Sequence, residues 1–261
     1  MKFRGHNLCW TNFNPNWLKW FKGSEHELDM VLKEHITKVM QGVKEKAGGT
    51  HVYAWDVVNE AVSDSCTGDI LKHADPWSKL PDYIDKAFTY ARAADPHTLL
   101  FYNDYGPSYS VCKNEKTIEM IKGMQKRKVP IDGMGIQFHQ KQGYGWSRKN
   151  ISDMIKSYGD LGLKVHITEI DVECPGCGSL DWNHDNMQQA TVYRNALQAC
   201  VEDNPGVCTA FLSWGITDKY TFLGTNKHPL PFDTNYKKKP AYQQMQKVLQ
   251  GVVDSPDLFL Q

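Results

Sequence analysis

Two strand-like segments of this 261-residue sequence end in carboxylates. The first begins at Val52 and ends in the polar pair Asn59-Glu60, which follows an apolar, β-prone stretch without a turn glycine. The second spans residues 164–172 and carries Glu169 and Asp171 near the same end. Hydrolysis of a glycosidic bond requires one protonated carboxylic acid and one ionised carboxylate. We therefore predict that Glu60 and Glu169 form such a pair, if the fold gathers strand ends together.

Other strand ends carry amides, imidazoles and aromatic rings, which can hold sugar hydroxyls and stack on sugar faces. A single histidine or tryptophan at such a place belongs to the core more often than to a site. Glutamate is different, because it is rarely placed on a buried strand unless it is paired or functional. The spacing fits no metal site, and we expect neither a metal nor a cofactor. The strand-end groups are His6, Trp10, Asn103, Asp104, Tyr105, Gln137, His139, Trp214 and Asp218.

The elements that must position these groups alternate regularly along the chain. Apolar runs predict six strands, and each is followed by a helix with apolar residues at helical spacing. Such alternation favours parallel strands with helices outside and one functional face at the strand ends. A closed barrel of this class has eight units, so we predict an α/β fold of TIM (β/α)8 type that lacks its first two units. Residues 1–250 would form one catalytic barrel and residues 251–261 a tail. The strands are predicted at 3–10, 52–59, 98–102, 133–139, 164–171 and 209–215.

The composition argues against two classes of binding partner, nucleic acids and membranes. The formal net charge is zero, with 30 basic and 30 acidic residues, which predicts neither nucleic-acid binding nor a basic membrane face. No apolar run approaches the roughly 20 residues of a membrane span. The start of the chain also lacks the apolar core of a signal peptide. A binding partner without net charge fits this composition best.

Seven cysteines suggest disulfides rather than a metal site. Cys174 and Cys177 have CxxC spacing, but no second CxxC accompanies them, so a zinc site is disfavoured and a stapled loop is favoured. We also predict a disulfide between Cys200 and Cys208, closing a turn. Disulfides, together with the glycosylation acceptor at residues 150–152, predict a secreted protein.

Six motifs, in this order, closely resemble the strand-end motifs of glycoside hydrolase family 10, which are endo-β-1,4-xylanases on a TIM barrel. The resemblance extends from residue 3 to about Leu249, and the ordered set is specific although no single motif is. The motifs are residues 4–10 (RGHNLCW), 55–61 (WDVVNEA), 103–105 (NDY), 135–139 (GIQFH), 167–171 (ITEID) and 214–218 (WGITD).

The resemblance implies a retaining double displacement on xylan or a related plant-wall β-glycan, with Glu60 as acid/base and Glu169 as nucleophile. It implies that Asn59 bonds the hydroxyl next to the reacting carbon, and that His139, supported by Asp171, bonds the nucleophile. An apolar aromatic wall would help the acid to keep its proton, and donors would help the nucleophile to stay ionised. A retaining pair requires carboxyl groups about 5–5.5 Å apart, and we predict that separation. Sugar-binding roles are implied for His6, Trp10, Gln137 and Trp214 on the glycone side and for Tyr105 on the leaving-group side.

The sequence departs from the family pattern in three places. The family's first two barrel units have no counterpart, including a Glu-Asn pair and a lysine that grip the glycone sugar. Thr11 replaces a histidine, and residues 220–223 replace a segment that usually contains a tryptophan. The chain could be a fragment, a barrel completed by another chain or a natural short form. An open barrel exposes strand edges, which predicts self-association or a partner segment. The alternative function is a carbohydrate-binding or structural protein that keeps the scaffold with impaired turnover, while a cellulase fits the motifs less well.

Overall fold

The computed structural model describes residues 2–46, 52–73, 76–108, 110–143 and 146–253. The chain divides into two compact units, Met1–Gly135 and Ile136–Gln261, and each is described by itself. No described helix is both long and apolar enough to cross a lipid bilayer.

In the first unit, strands alternate with helices as predicted. Strands β1 and β2 both pair in parallel with β3, so they form one predicted strand that is interrupted between them. Helix α1 was not predicted. The elements are β1 Phe3–Gly5, β2 Cys9–Trp10, α1 Asn16–Lys19, α2 Glu25–Lys46, β3 Val52–Asn59, α3 Tyr83–Ala94, β4 Leu99–Asp104, α4 Val111–Lys126 and β5 Gly133–Ile136.

Helix α2 begins at a capping box, which the sequence SEHE at residues 24–27 predicts. The backbone N–H of Ser24 donates to Oε2 of Glu27 at 2.8 Å, and the N–H of Glu27 donates to Oγ of Ser24 at 3.3 Å. This reciprocal pair satisfies donors that have no partner inside the helix. The helix then buries Leu28, Leu32 and Ile36 along one face, so both its start and its orientation follow from local sequence.

The second unit continues the alternation. Strand β6 pairs in parallel with β7, and β7 pairs in parallel with β8. The elements are β6 His139–Lys141, α5 Arg148–Gly159, β7 Lys164–Glu173, α6 His184–Val201, β8 Cys208–Ser213 and α7 Pro240–Val253.

The single strand predicted over 133–139 is wrong, because the structure has two strands there, β5 and β6. Phe138 lies between them with a φ of 65° and is fully buried. A left-handed residue cannot continue an extended strand, so the backbone turns at this point and resumes at His139. If β1 with β2 and β5 with β6 are each counted as one strand, the described residues contain the six predicted βα units.

Helix α7 continues to Val253, so residues 251–253 of the predicted tail are helical. The remainder of the predicted tail, residues 254–261, lies outside the described residues. No observation tests the predicted domain boundaries, which stay a prediction.

Three disulfides join six of the seven cysteines. Cys200 and Cys208 are bonded as predicted. The predicted stapled loop is closed by a disulfide between Cys174 and Cys177, a pairing that the sequence left open. The third disulfide, Cys66–Cys112, closes a separation of 46 residues and was not predicted. Cys9 is a free, buried thiol.

Close backbone packing in β5 gives a first prediction. A Cβ atom on Gly133 would lie 2.2 Å from Cε1 of the fully buried Phe101, so Gly133→Ala should lower the free energy of unfolding by about 1–3 kcal/mol. Gly42→Ala is the matched control, because a Cβ there meets nothing within 4 Å in the middle of α2 and should stabilise by about 0.5–1 kcal/mol. Urea unfolding measures both. A Gly133→Ala variant as stable as the wild type would contradict the packing argument.

Candidate active site

Glu60 stands just beyond the end of β3. Its φ is 58°, a left-handed conformation that is uncommon for glutamate and is typical of functional sites. The backbone N–H donates to the carbonyl of Asn103 at 2.9 Å. The indole Nε1–H of Trp10 donates to Oε2 of Glu60 at 3.1 Å. The half-buried carboxyl group therefore has a fixed backbone and an indole donor at one oxygen.

Asn59 is held by the neighbouring strand. The register of β3 and β4 places Asn59 opposite Asn103, and Nδ2 of Asn103 donates to Oδ1 of Asn59 at 2.9 Å. Both amides are buried. The amide of Asn59 is thus oriented before any ligand arrives.

His6 is oriented by a buried ion pair that the sequence did not reveal. Its Nδ1 lies 2.9 Å from Oδ2 of Asp56, and Arg4 forms a two-pronged contact with the same carboxylate. Asp56 is fully buried. Burial raises the pKa of Asp56, but Arg4 and His6 outweigh it and hold the pKa below its ordinary value. A charged residue in the interior of an apolar strand was the available signal for this pair.

Trp10 is fixed from two sides. Its ring centroid lies 5.2 Å from that of Phe13, in a tilted arrangement. Its carbonyl accepts a hydrogen bond from Nε1–H of Trp77 at 3.0 Å. The indole that contacts Glu60 therefore lies beside a second aromatic ring, and its backbone is held by Trp77.

Tyr105, the remaining predicted site residue of the first unit, follows β4. Its hydroxyl donates to Oδ1 of Asp64 at 2.7 Å and accepts from Nζ of Lys72 at 3.1 Å.

In the second unit, His139 lies between two carboxylates. Its Nε2 is 3.2 Å from Oε2 of Glu169, and its Nδ1 is 2.9 Å from Oδ2 of Asp171. The register of β6 and β7 places His139 opposite Asp171, so the parallel pairing itself creates this contact. The arrangement joins three of the residues that the sequence singled out.

The pKa values of His139 and Asp171 depart from their ordinary values in this arrangement. Burial lowers the pKa of His139, but Asp171 and Glu169 raise it to about 9, so the imidazole is cationic near neutral pH. Burial raises the pKa of Asp171 above its ordinary value, although His139 opposes this. A positive charge consequently lies beside Glu169, whose side chain is buried with 6% exposure.

Backbone hydrogen bonds link Gln137 and Trp214 to the segment that carries Glu169. The N–H of Glu169 donates to the carbonyl of Gln137 at 3.1 Å, and the N–H of Trp214 donates to that of Ile170 at 3.2 Å. Gln137 is buried, whereas Trp214 is 39% exposed. The ring of Trp214 is edge-on to His139, with centroids 6.4 Å apart.

Phe222 is a site residue that the sequence reasoning missed. Its ring centroid lies 5.5 Å from that of His139, edge-on, while the residue is 65% exposed. The only sequence signal was the departure at residues 220–223, where the family usually has a tryptophan. An aromatic ring is therefore still present in this segment, beside the imidazole.

Asp218 is a buried structural residue and is not exposed at the proposed site. It is fully buried and 3.0 Å from Nζ of the equally buried Lys239. Burial raises the pKa of Asp218 despite Lys239. Its Oδ1 accepts from the N–H of Leu230 at 2.7 Å, so the pair fastens the segment that carries Trp214 and Phe222.

The predicted site residues are thus divided between the two units. Within the described ranges, no group of three or more His, Cys, Asp or Glu side chains could hold a metal ion. The separation of the Glu60 and Glu169 carboxyl groups stays a prediction. The first unit holds His6, Trp10, Asn59, Glu60 and Tyr105, and the second holds Gln137, His139, Glu169, Asp171 and Trp214.

The pKa of His139 makes stability depend on pH. A folded-state pKa of about 9, above the ordinary 6.5, stabilises the fold fully below pH 6.5, and the contribution is lost as the pH rises to 9. The loss should be up to about 3 kcal/mol. Urea unfolding at about pH 6 and about pH 9.5 should reveal it in the wild type and not in His139→Gln. An equal loss in both proteins would contradict the assignment.

Relatives of known activity match most of the chain. Endo-1,4-beta-xylanase B of Neocallimastix patriciarum is 36% identical over 95% of this chain, which spans 27% of that protein. Beta-1,4-xylanase of Dictyoglomus thermophilum is also 36% identical over 95% of the chain, which spans 71% of that protein.

Solved structures agree in fold. Native xylanase 10B from Thermotoga maritima has a TM-score of 0.87 and 36% identity, and the match covers 98% of this chain and 76% of that one. Xylanase 10C from Cellvibrio japonicus in complex with xylopentaose has a TM-score of 0.85 and 32% identity, covering 96% and 54%. These matches confirm the predicted class, an α/β fold of TIM (β/α)8 type, represented in the described residues by six βα units. The model of the family described as Glycosyl hydrolase family 10 matches residues 1–248, and the chain therefore belongs to that family.

Proposed function

We propose that this chain hydrolyses internal β-1,4-xylosidic bonds of xylan by a retaining double displacement. The observation that carries the proposal is the cationic His139 held between Glu169 and Asp171. A nucleophilic carboxylate must be ionised before it attacks, and a fixed positive charge 3.2 Å away favours that form. The xylanase relatives supply the substrate class.

Each step has an assigned group. In the first, an Oε atom of Glu169 bonds to the anomeric carbon, the bond to the leaving oxygen breaks, and Glu60 gives that oxygen its proton. In the second, water attacks the same carbon, Glu60 takes the water's proton, and the glycosyl–Glu169 ester bond breaks. The amide of Asn59 would hold the hydroxyl next to the reacting carbon. The remaining sugar contacts would come from His6, Trp10, Gln137 and Trp214 on the glycone side and from Tyr105 on the leaving-group side.

Removal of the nucleophile tests the proposal. Glu169→Gln keeps the shape but removes the charge, so release of reducing sugar from xylan should fall on the order of 10⁴-fold. Unchanged release would exclude the proposed role of Glu169. Retention of xylan on an affinity gel by a wild-type chain without any hydrolysis would instead favour a carbohydrate-binding protein.

Azide distinguishes the two carboxylates. In Glu60→Ala, azide can attack the glycosyl–enzyme ester from the water's side and give a β-xylobiosyl azide, with retained configuration. In Glu169→Ala, azide can replace the missing nucleophile and give the α-xylobiosyl azide by a single inversion. Aryl β-xylobioside is a suitable substrate, because its good leaving group reduces the need for an acid, and proton NMR identifies the products. The reverse pattern would exchange the two assignments.

Secretion is part of the proposal. Three disulfides in a chain of this size fit an oxidising compartment.

We further infer that the chain self-associates through free strand edges. Among the described residues, β8 pairs only with β7, and β1 pairs only with β3. Beside β8 lies a cavity of about 570 Å³ with an apolar lining that includes Leu197, Phe211, Met245 and Leu249. Unpaired parallel edges with apolar surroundings favour pairing with another strand. A second copy of the chain offers such an edge.

Light scattering after size exclusion tests this inference. The wild type should form oligomers whose mass rises with protein concentration, because each contact joins two chains. Leu249→Lys places a charge in the cavity lining and should shift the equilibrium to monomer, whereas Gln250→Lys, an exposed position on the same helix outside that lining, should not. A wild type that stays monomeric at every concentration would refute the inference.

A further inference from the structure

Lys113 is a fully buried lysine that the proposed reaction does not use. It lies in the first turn of α4, where its N–H donates to the side chain of the N-cap Ser110 at 3.1 Å. Its relative exposure is 0%. A lysine is almost never fully buried unless its charge is compensated, because desolvation of an ammonium group costs several kcal/mol. The groups that compensate the charge of Lys113 are therefore the groups that it holds in place.

The ammonium group contacts three side chains from two segments. Nζ lies 3.1 Å from Oδ1 of Asp104, at the end of β4, and forms an ion pair with Asp64, in the loop after β3. It also lies 3.7 Å from the centroid of the Tyr105 ring, within the range of a cation–π interaction. One buried charge therefore fixes the position of Asp64 relative to Tyr105.

The aliphatic stem of Lys113 has its own fixed space. A Cβ atom on Gly106 would lie 2.1 Å from Cδ of Lys113. Glycine at this position therefore leaves room for the lysine to pass beneath Tyr105 and reach the two carboxylates.

Helix α4 is attached to the same loop at two more points. The disulfide Cys66–Cys112 joins the residue before Lys113 to the loop. Nζ of Lys116 donates to the carbonyls of Gly68 and Asp69 at 3.1 Å and 2.9 Å. The segment that follows Glu60 is thus fastened to the first turns of α4.

Together these contacts hold Tyr105 in a fixed position. Its hydroxyl donates to Asp64 and accepts from Lys72, while its ring rests on Lys113. Burial and the hydrogen bond to Asp64 raise the pKa of Tyr105, with a smaller contribution from Glu60, so the hydroxyl stays protonated. A neutral, rigid aromatic ring close enough to feel the Glu60 charge is suited to stack against a pyranose.

We propose that Lys113 is the positioning residue for the leaving-group side of the site, holding Asp64 and Tyr105 in the arrangement that binds the sugar released by Glu60. The inference rests on the proposed function. Lys113 itself touches no substrate. Its effect should appear only with substrates that place a sugar on that side.

Two substrates separate this role from a general structural one. Xylohexaose places sugars on the leaving-group side, whereas in β-xylobiosyl fluoride the leaving group is a single atom. In Lys113→Met, which keeps the stem and removes the charge, kcat/KM for xylohexaose should fall about ten-fold or more. For β-xylobiosyl fluoride it should change less than about two-fold. Lys122→Met, the same change at an exposed position of α4, should affect neither substrate.

A second variant perturbs the Lys113 side chain without changing Lys113 itself. Gly106→Ala should displace the lysine stem and reproduce the selective loss of xylohexaose hydrolysis. Circular dichroism and thermal unfolding establish that each variant is folded. An equal fall for both substrates in folded Lys113→Met, or no fall for xylohexaose, would overturn the proposal.

A binding measurement keeps this inference distinguishable from the proposed function. A wild type that hydrolyses neither substrate contradicts the proposed function alone. Calorimetric titration with xylohexaose, which is not hydrolysed in that case, then tests Lys113, because Lys113→Met should weaken binding about ten-fold relative to Lys122→Met. Equal Kd values for the two variants would refute the role of Lys113.

Discussion

Parallel strand pairing is the constraint on which both parts of the site depend. In a parallel pair, residues at the same register lie at the same end of the sheet. The pairing of β3 with β4 sets Asn59 beside Asn103, and the pairing of β6 with β7 sets His139 beside Asp171. A shift of one residue would turn each side chain to the opposite face. The polar contacts in each unit are therefore consequences of the backbone pairing, and they in turn specify its register.

Three buried aspartates, within or after the strands, each have a cation beside them that neutralises their charge. Asp56 is paired with Arg4, Asp104 with Lys113, and Asp218 with Lys239. Such pairs add little net stability over apolar packing, but removal of one partner leaves an uncompensated charge and is costly. Their common feature here is location, since each fixes a segment beside a proposed site residue. We interpret them as devices that set geometry more than as sources of stability.

Local sequence predicted most of the helices and strands but few of the contacts between distant positions. The bounds of β3 and the capping box at Ser24 followed from patterns within a few residues. The left-handed Phe138 did not, because the reason for that conformation lies in buried packing that no short pattern records. Cys66–Cys112 and the two buried lysines, Lys113 and Lys239, join positions far apart in the chain.

The proposed site also contains some residues that the sequence predicted and others that only the fold revealed. The contact of His139 with Asp171 could be predicted because the motif resemblance implied it. Phe222 could not, since it lies in an irregular segment whose path depends on the buried pair of Asp218 and Lys239. Residues in such segments carry no periodic signal. Motif resemblance supplied the residue types at the strand ends, and only the fold supplied what surrounds them.

The two glutamates occupy environments that suit opposite tasks. Glu60 is half-buried on a left-handed residue beyond the strand, and an acid/base must exchange a proton during both halves of the reaction. Glu169 is buried inside β7 beside a cation, where a nucleophile gains nothing from contact with water and must be held at one place. The difference originates in the backbone, because Glu60 follows a strand and Glu169 lies within one. In the proposed reaction, the point at which each strand stops therefore separates the acid/base from the nucleophile.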